Sequence, residues 1–207
     1  MTQNTSQPQP VVPDPRGPRE VPQRSEDTSW GEGAGPVAPG GAVTGAGSTV
    51  TEEDLAVLAE QLGREPRGVV GIAARCVCGR PTVVRTAPRL PDGTPFPTTF
   101  YLTHPGAVAA ASTLEANGVM KEMTERLAAD EELAAAYLAA HEHYLAQREA
   151  LGIVEEIAGI SAGGMPTRVK CLHVLMAHAL GFPGVNPLGD EALALVRDQW
   201  RPDRCSC

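Results

Sequence analysis

This chain lacks a stretch that would cross a bilayer as a helix. Its uncharged segment 33–51 is mainly Gly, Pro, Ala and Thr, with no Leu or Ile, whereas a spanning helix needs about 20 predominantly apolar residues. The opening MTQNTSQPQP has neither a basic start nor an apolar run, which predicts no secretory signal. A basic excess is missing too: 17 Lys and Arg face 25 Asp and Glu, for a formal net charge of −8. General nucleic-acid binding needs a basic footprint, so it is excluded and only a local basic site remains open. Cysteine is scarce and odd in number, five in 207 residues. Without a signal, that reads as reduced thiols in a cytoplasmic protein rather than a disulfide framework. The nucleotide-binding pattern G-x-x-x-x-G-K-[ST], the nucleophile elbow G-x-S-x-G and the cysteine-protease signatures are all absent, so no NTPase is inferred.

The residues that are present are unevenly spread. Residues 1–50 hold 8 Pro, 8 Gly and a single aromatic, Trp30. Such a segment buries too little apolar surface to offset its ordering entropy, which predicts a disordered arm over 1–50 and one folded domain over 51–207. TEEDLAVLAEQLG, from Thr51, has a cap, an acidic first turn, leucines at helical spacing and a closing Gly63. RGVVGIAARC, PTVVRTA and TTFYLT are rich in Val, Thr and aromatics and are separated by Gly and Pro turns, which predicts about three antiparallel strands. Helices follow: one from Pro105, capped by Thr103 or His104, to Asn117-Gly118; one over 119–127; a long one after Asp130; one from about Thr167 to Leu180; and one capped by Gly189-Asp190. The fold class is therefore α+β, a small antiparallel sheet packed with five or six helices.

Three groups of residues carry candidate chemistry. The Cys-x-Cys pairs Cys76/Cys78 and Cys205/Cys207 could supply four thiolates to a closed tetrahedral zinc site, the second pair clipping the end of the chain onto the sheet. The alternative is one buried cysteine and a reduced, unstructured tail. A mixed site recruiting Cys171 or His173 is a variant of the first. In a second group, Ser161, Gly163 and Gly164 precede a helix whose first turn carries Arg168 and Lys170. Free N–H groups and glycines at a helix N-terminus suit an anion, which predicts a small phosphate-type ligand there, against a flexible connection with solvated charges.

Cys171 and His173 form the third group. On an intact helix, residues two apart point about 200° away from each other, so the pair can share a metal only if the helix starts after Cys171. Cys171 beside Arg168 and Lys170 is also a candidate nucleophile, against a plain buried thiol. The histidines of HEH, 141–143, diverge in the same way, and His141 shares a face with Tyr137 and Tyr144, as a packed histidine would. Glu115, Glu122, Glu125, Glu155 and Glu156 show no catalytic spacing and read as solvated surface.

RCVCGRPTVV, LPDGTPFPTTFYLTHP, GISAGGMPTRVKCLH and GVNPLGDEAL together resemble the bacterial domain-of-unknown-function family 501, in its actinobacterial form, over roughly residues 52–200. The family pattern centres on Arg75, Cys76, Gly79 and Pro81 and on Val169 to His173, and the chain matches it there. The resemblance implies no activity. Through genes that often neighbour the family, it implies a cytoplasmic setting and a protein partner in division or phosphate metabolism. The leading expectation is binding of a small anionic ligand by Arg75, Ser161, Gly163, Gly164, Arg168 and Lys170, with Cys171 and His173 lining the edge. A structural zinc-binding interaction module and an enzyme using Cys171 are the alternatives.

Overall fold

The computed structural model describes residues 47–207, so the arm expected over 1–50 lies, up to residue 46, outside the described residues. Helix α1, Glu52–Leu62, is closed at both ends by its own sequence. The Thr51 hydroxyl accepts the Asp54 N–H at 3.1 Å, the Asp54 carboxylate accepts the Thr51 N–H at 3.0 Å, and Gly63 ends the helix at φ 64°. Strands β1 (Val69–Arg75), β2 (Pro81–Thr86) and β3 (Phe100–Leu102) pair antiparallel in the order β1-β2-β3. The centre strand β2 is buried on both faces, and its alternation divides the core in two. Val84 meets Leu58 and Ile72 under α1, and Val83 meets Phe100 and Leu102 on the helical side. Ordered packing starts before Thr51: the Ser48 carbonyl accepts the Ile72 N–H at 3.0 Å, and Val50 packs on the smaller cluster.

Five helices cover the other face: α2 (Pro105–Ala116), α3 (Val119–Ala129), α4 (Glu131–Glu149), α5 (Leu172–Gly181) and α6 (Pro187–Leu195). Among the described residues the architecture is thus the expected α+β arrangement, three strands and six α-helices. Helix α5 is the central one. Leu172, Val174, Leu175, Met176, Ala177 and Ala179 are all buried, because it packs on β3, α2 and α6 at once. A Cβ on Gly189 would lie 2.3 Å from the Leu175 carbonyl oxygen, so this glycine allows the close approach of α6 to α5. No helix of the described residues is long and apolar enough to cross a membrane.

Two helix starts differ from expectation. Helix α6 begins at Pro187, because the Asn186 side chain takes the Gly189 N–H at 3.0 Å and caps earlier than Gly189-Asp190 would. Helix α5 begins at Leu172, five residues after Thr167. Gly163 and Gly164, at φ 78° and 93°, turn the chain back on itself. Their carbonyls take the N–H groups of Lys170 (2.7 Å), Cys171 (3.3 Å) and Arg168 (3.2 Å). The Val169 N–H goes to Thr124 Oγ1 at 3.0 Å. These partners hold 168–171 extended, and they are available only in the tertiary structure.

A chain of contacts joins several polar groups inside this core. Arg148 is 2% exposed and donates to the carbonyls of Ile157 (2.8 Å) and Ile160. His178 is fully buried and stacks on Phe100. Because Asn186 spends its oxygen on Gly189, its amide nitrogen donates to His178 Nδ1 at 3.3 Å. His178 Nε2 therefore carries the proton and donates to His143 Nδ1 at 3.0 Å.

Burial, with His143 beside it, pushes the His178 pKa down to about 3. A histidine held neutral in the fold but protonated in the unfolded chain contributes stability above its unfolded pKa of about 6.5, lost as pH falls toward 3. In urea unfolding, His178 alone should therefore contribute a fall in stability of up to about 1.4 kcal/mol per pH unit below pH 6.5. His178→Gln should flatten that slope and cost roughly 1–3 kcal/mol at pH 7. An unchanged slope in the variant contradicts this account.

Candidate metal centre

The hairpin between β1 and β2 is a tight curl. The Arg80 carbonyl accepts the Cys76 N–H at 2.9 Å, the Cys76 carbonyl accepts the Gly79 N–H at 2.8 Å, and Gly79 sits at φ 92°, where glycine is favoured. The curl gathers the sulfurs of Cys76 and Cys78 despite their two-residue spacing. After α6, Trp200 is buried against His104, at 5.5 Å between ring centroids, and the chain then runs past the start of α2. Gly106 makes room there: a Cβ would lie 3.0 Å from Trp200 and 3.3 Å from Ser206. This brings Cys205 and Cys207 to the hairpin. Cys78 Sγ and Cys207 Sγ are 3.4 Å apart, and all four sulfurs lie within 4.8 Å of one another. A tetrahedral ion with metal–sulfur bonds of about 2.3 Å would set them about 3.8 Å apart. The four cysteines, all free thiols, thus form a cluster that could hold a metal ion.

Hydrogen bonds to sulfur prepare the cluster for negative charge. The backbone of Cys78 favours charge on the Cys76 sulfur, and that of Arg80 favours it on Cys78. His104 adds a third. Its Nδ1 accepts the N–H groups of Gly106 (3.1 Å) and Ala107 (3.4 Å) at the start of α2, and burial lowers its pKa, so the ring is neutral. The proton is then on Nε2, which donates to Cys207 Sγ at 3.3 Å. The Arg80 backbone, followed by Cys207, brings the Cys78 thiol down to about 7. Burial raises Cys76, and burial with the neighbouring thiols raises Cys207.

A second group assembles where α5 begins. Cys171 is the residue before the helix, extended at φ −153°, ψ 115°, so the divergence expected on an intact helix does not apply. Its sulfur lies 3.8 Å from His173 Nδ1. Glu115, in the last turn of α2, places Oε1 3.0 Å from the same nitrogen and 2.7 Å from the Leu172 N–H, which donates to it. Contact with Cys171, and then with Glu115, raises the His173 pKa to about 9. Cys171 and His173 line a cavity of about 620 Å³ between α2, α5 and β3. Glu115, taken from its sequence as solvated surface, is half-buried and central; it lies 58 residues from His173, beyond any local pattern.

Of the residues expected at the anion site, those of the loop lie near one another but bond within the chain, and Arg75 bonds elsewhere. Ser161 Oγ is buried and pairs with His141 Nδ1 at 2.9 Å and the Met165 carbonyl at 3.3 Å. The space beside Gly163 is filled by Leu175 and that beside Gly164 by the backbone of Arg168 and Lys170, so these glycines serve the chain's own packing. The N–H groups expected free at the start of α5 are taken by Gly163 and Glu115, while the Arg168 and Lys170 side chains are exposed. Arg75 is committed to Asp54 (2.6 and 2.9 Å), Gly79 (2.9 Å) and Ser48 (3.0 Å), none of them in the 161–170 loop. Nor do Cys171 and His173 join the four-cysteine group; they gather with Glu115.

A family model described as "Protein of unknown function (DUF501)" matches residues 72–194. No curated protein and no solved structure matches the chain.

The Asp54–Arg75 pair links α1 to the hairpin that carries Cys76 and Cys78. The Arg75 guanidinium brings the Asp54 carboxyl down to about 2 from an ordinary 3.8, against the opposing effect of burial. A depressed carboxylate contributes stability above its unfolded pKa, lost as pH falls through its folded value. Asp54→Asn should therefore lower stability by about 2 kcal/mol at pH 7. The gap to the wild type should close between pH 4 and pH 2, as followed by denaturant melts.

Proposed function

The chain belongs to the DUF501 family, and from that starting point we propose that its domain is a structural zinc-binding interaction module. Zinc bound by Cys76, Cys78, Cys205 and Cys207 fastens segment 201–207 onto the β1–β2 hairpin and the start of α2. One observation carries this reading: four sulfurs, from two segments in which Cys78 and Cys207 are 129 positions apart, converge within 4.8 Å. Soft thiolates in a tetrahedral set select zinc over harder cations, and four protein ligands leave no open position for a substrate. The site is therefore structural. It makes the hairpin rigid, and Val77, 64% exposed between Cys76 and Cys78, is the apolar tip it presents to a protein partner. A phosphate-type anion at the 161–170 loop would have to displace the Glu115 carboxylate from the Leu172 N–H, so we place that reading second.

Native mass spectrometry of reduced protein purified without chelator should show a tightly held zinc, absent from Cys205→Ser/Cys207→Ser. Because Trp200 anchors the chain independently, losing zinc should free residues 201–207 to proteases without unfolding the core. The melting temperature should fall by roughly 3–8 °C, the equivalent of about 2 kcal/mol for a domain of this size. A zinc stoichiometry that does not fall by one equivalent in the double variant, or a melting temperature indifferent to chelation, overturns the proposal.

A further inference from the structure

We propose that Glu115, Cys171 and His173 form a second metal site, of the open three-ligand kind, whose fourth position faces the 620 Å³ cavity. The geometry is the first argument. Bonds of about 2.0–2.3 Å at tetrahedral angles put neighbouring donor atoms about 3.3–3.6 Å apart. Cys171 Sγ lies 3.8 Å and Glu115 Oε1 3.0 Å from His173 Nδ1, and the three donor atoms are mutually within 4.8 Å. Small side-chain adjustments suffice to place one ion among them.

The surroundings of the ligands are the second argument. A ligating histidine nearly always spends its other ring nitrogen on an orienting partner. Here His173 Nε2 lies 3.2 Å from Ser112 Oγ, one turn before Glu115 on α2, which leaves Nδ1 for the metal. The carboxylate has capacity for both tasks, since two oxygens offer about four acceptor positions and the Leu172 N–H occupies one. The donor set of sulfur, imidazole and carboxylate suits Zn²⁺ or Co²⁺ rather than Mg²⁺ or Ca²⁺.

The cavity is the third. Three protein ligands leave one position for water or a ligand atom, the arrangement of catalytic rather than structural zinc. Cys171 and His173 stand in the cavity wall, beside Phe100, Leu102, Val108 and Val174. The ligand class that fits is a small molecule with an apolar body and an anionic group to take the open metal position.

This site shares no residue with the four-thiolate cluster, so each can fail without the other. The test titrates the reduced, metal-stripped full chain with Co²⁺, following absorption and native mass. Two equivalents are expected. Cys76→Ser/Cys205→Ser should abolish the multi-thiolate spectrum and keep a tetrahedral signal with one thiolate, while Cys171→Ser/His173→Ala should do the reverse. Glu115→Gln keeps an acceptor for the Leu172 N–H, so the fold is preserved, and it should weaken the second equivalent about tenfold or more. Acetohydroxamate, the probe for the open position, should shift only the one-thiolate spectrum. A wild-type chain that shows no one-thiolate tetrahedral signal overturns the proposal, as does such a signal retained in Cys171→Ser/His173→Ala or unaffected by Glu115→Gln.

Discussion

The Glu115 carboxylate accepts the Leu172 N–H at 2.7 Å, and the Gly163 carbonyl accepts those of Lys170 and Cys171. Together these contacts fix where α5 begins, and much of the molecule follows from that choice. Had the helix run from Thr167, Cys171 and His173 would point about 200° apart and the Arg168–Lys170 end would offer free N–H groups to an anion. Starting it at Leu172 leaves Cys171 extended, brings its sulfur near His173, and gives the first N–H of the helix a carboxylate of the same chain. A protein carboxylate is already the anion that this helix dipole favours.

His104 plays the corresponding part at the other cluster. A capping residue normally contributes an oxygen; here an imidazole nitrogen accepts the first N–H groups of α2. That duty settles its tautomer, and the tautomer leaves only a donor for Cys207. A helix cap and a sulfur contact are thus two ends of one ring. The proton cannot move from Nε2 without breaking the cap, so the arrangement persists whenever α2 is formed.

What the sequence disclosed is what local chemistry controls. The capping box of Thr51 and Asp54, the closing Gly63 and the alternation of PTVVRT act within a few residues, and the strands and most helices were legible from them. The two Cys-x-Cys pairs raised a shared cluster as one of two readings, the other being a buried cysteine and a reduced tail, and the folded chain gathers all four sulfurs. Three features were hidden. The start of α5 depends on Thr124 and Glu115, which lie 45 and 57 residues from their partners. Glu115 belongs to a site only because α2 crosses α5. Arg75 and Ser161 carried plausible chemistry for an anion, but Asp54 and His141 claim them in the folded chain. Composition reveals which groups are available, and pairing decides which remain free.

The two metal-competent clusters differ in the charge they can neutralise, and that difference assigns their roles. Four thiolates around Zn²⁺ leave two negative charges in excess, in a chain that is already acidic. The backbone of Cys78 and Arg80 and the ring N–H of His104 spread that charge over the backbone and an imidazole, as a permanent, closed site requires. One thiolate, one carboxylate and a neutral imidazole balance Zn²⁺ without excess. A site so balanced gains little from further donors of its own, and it can accept an anionic group at its open side at modest electrostatic cost. Closure in one place and neutrality in the other are what would distinguish the two proposed sites, a staple and a binding centre, once ions are bound.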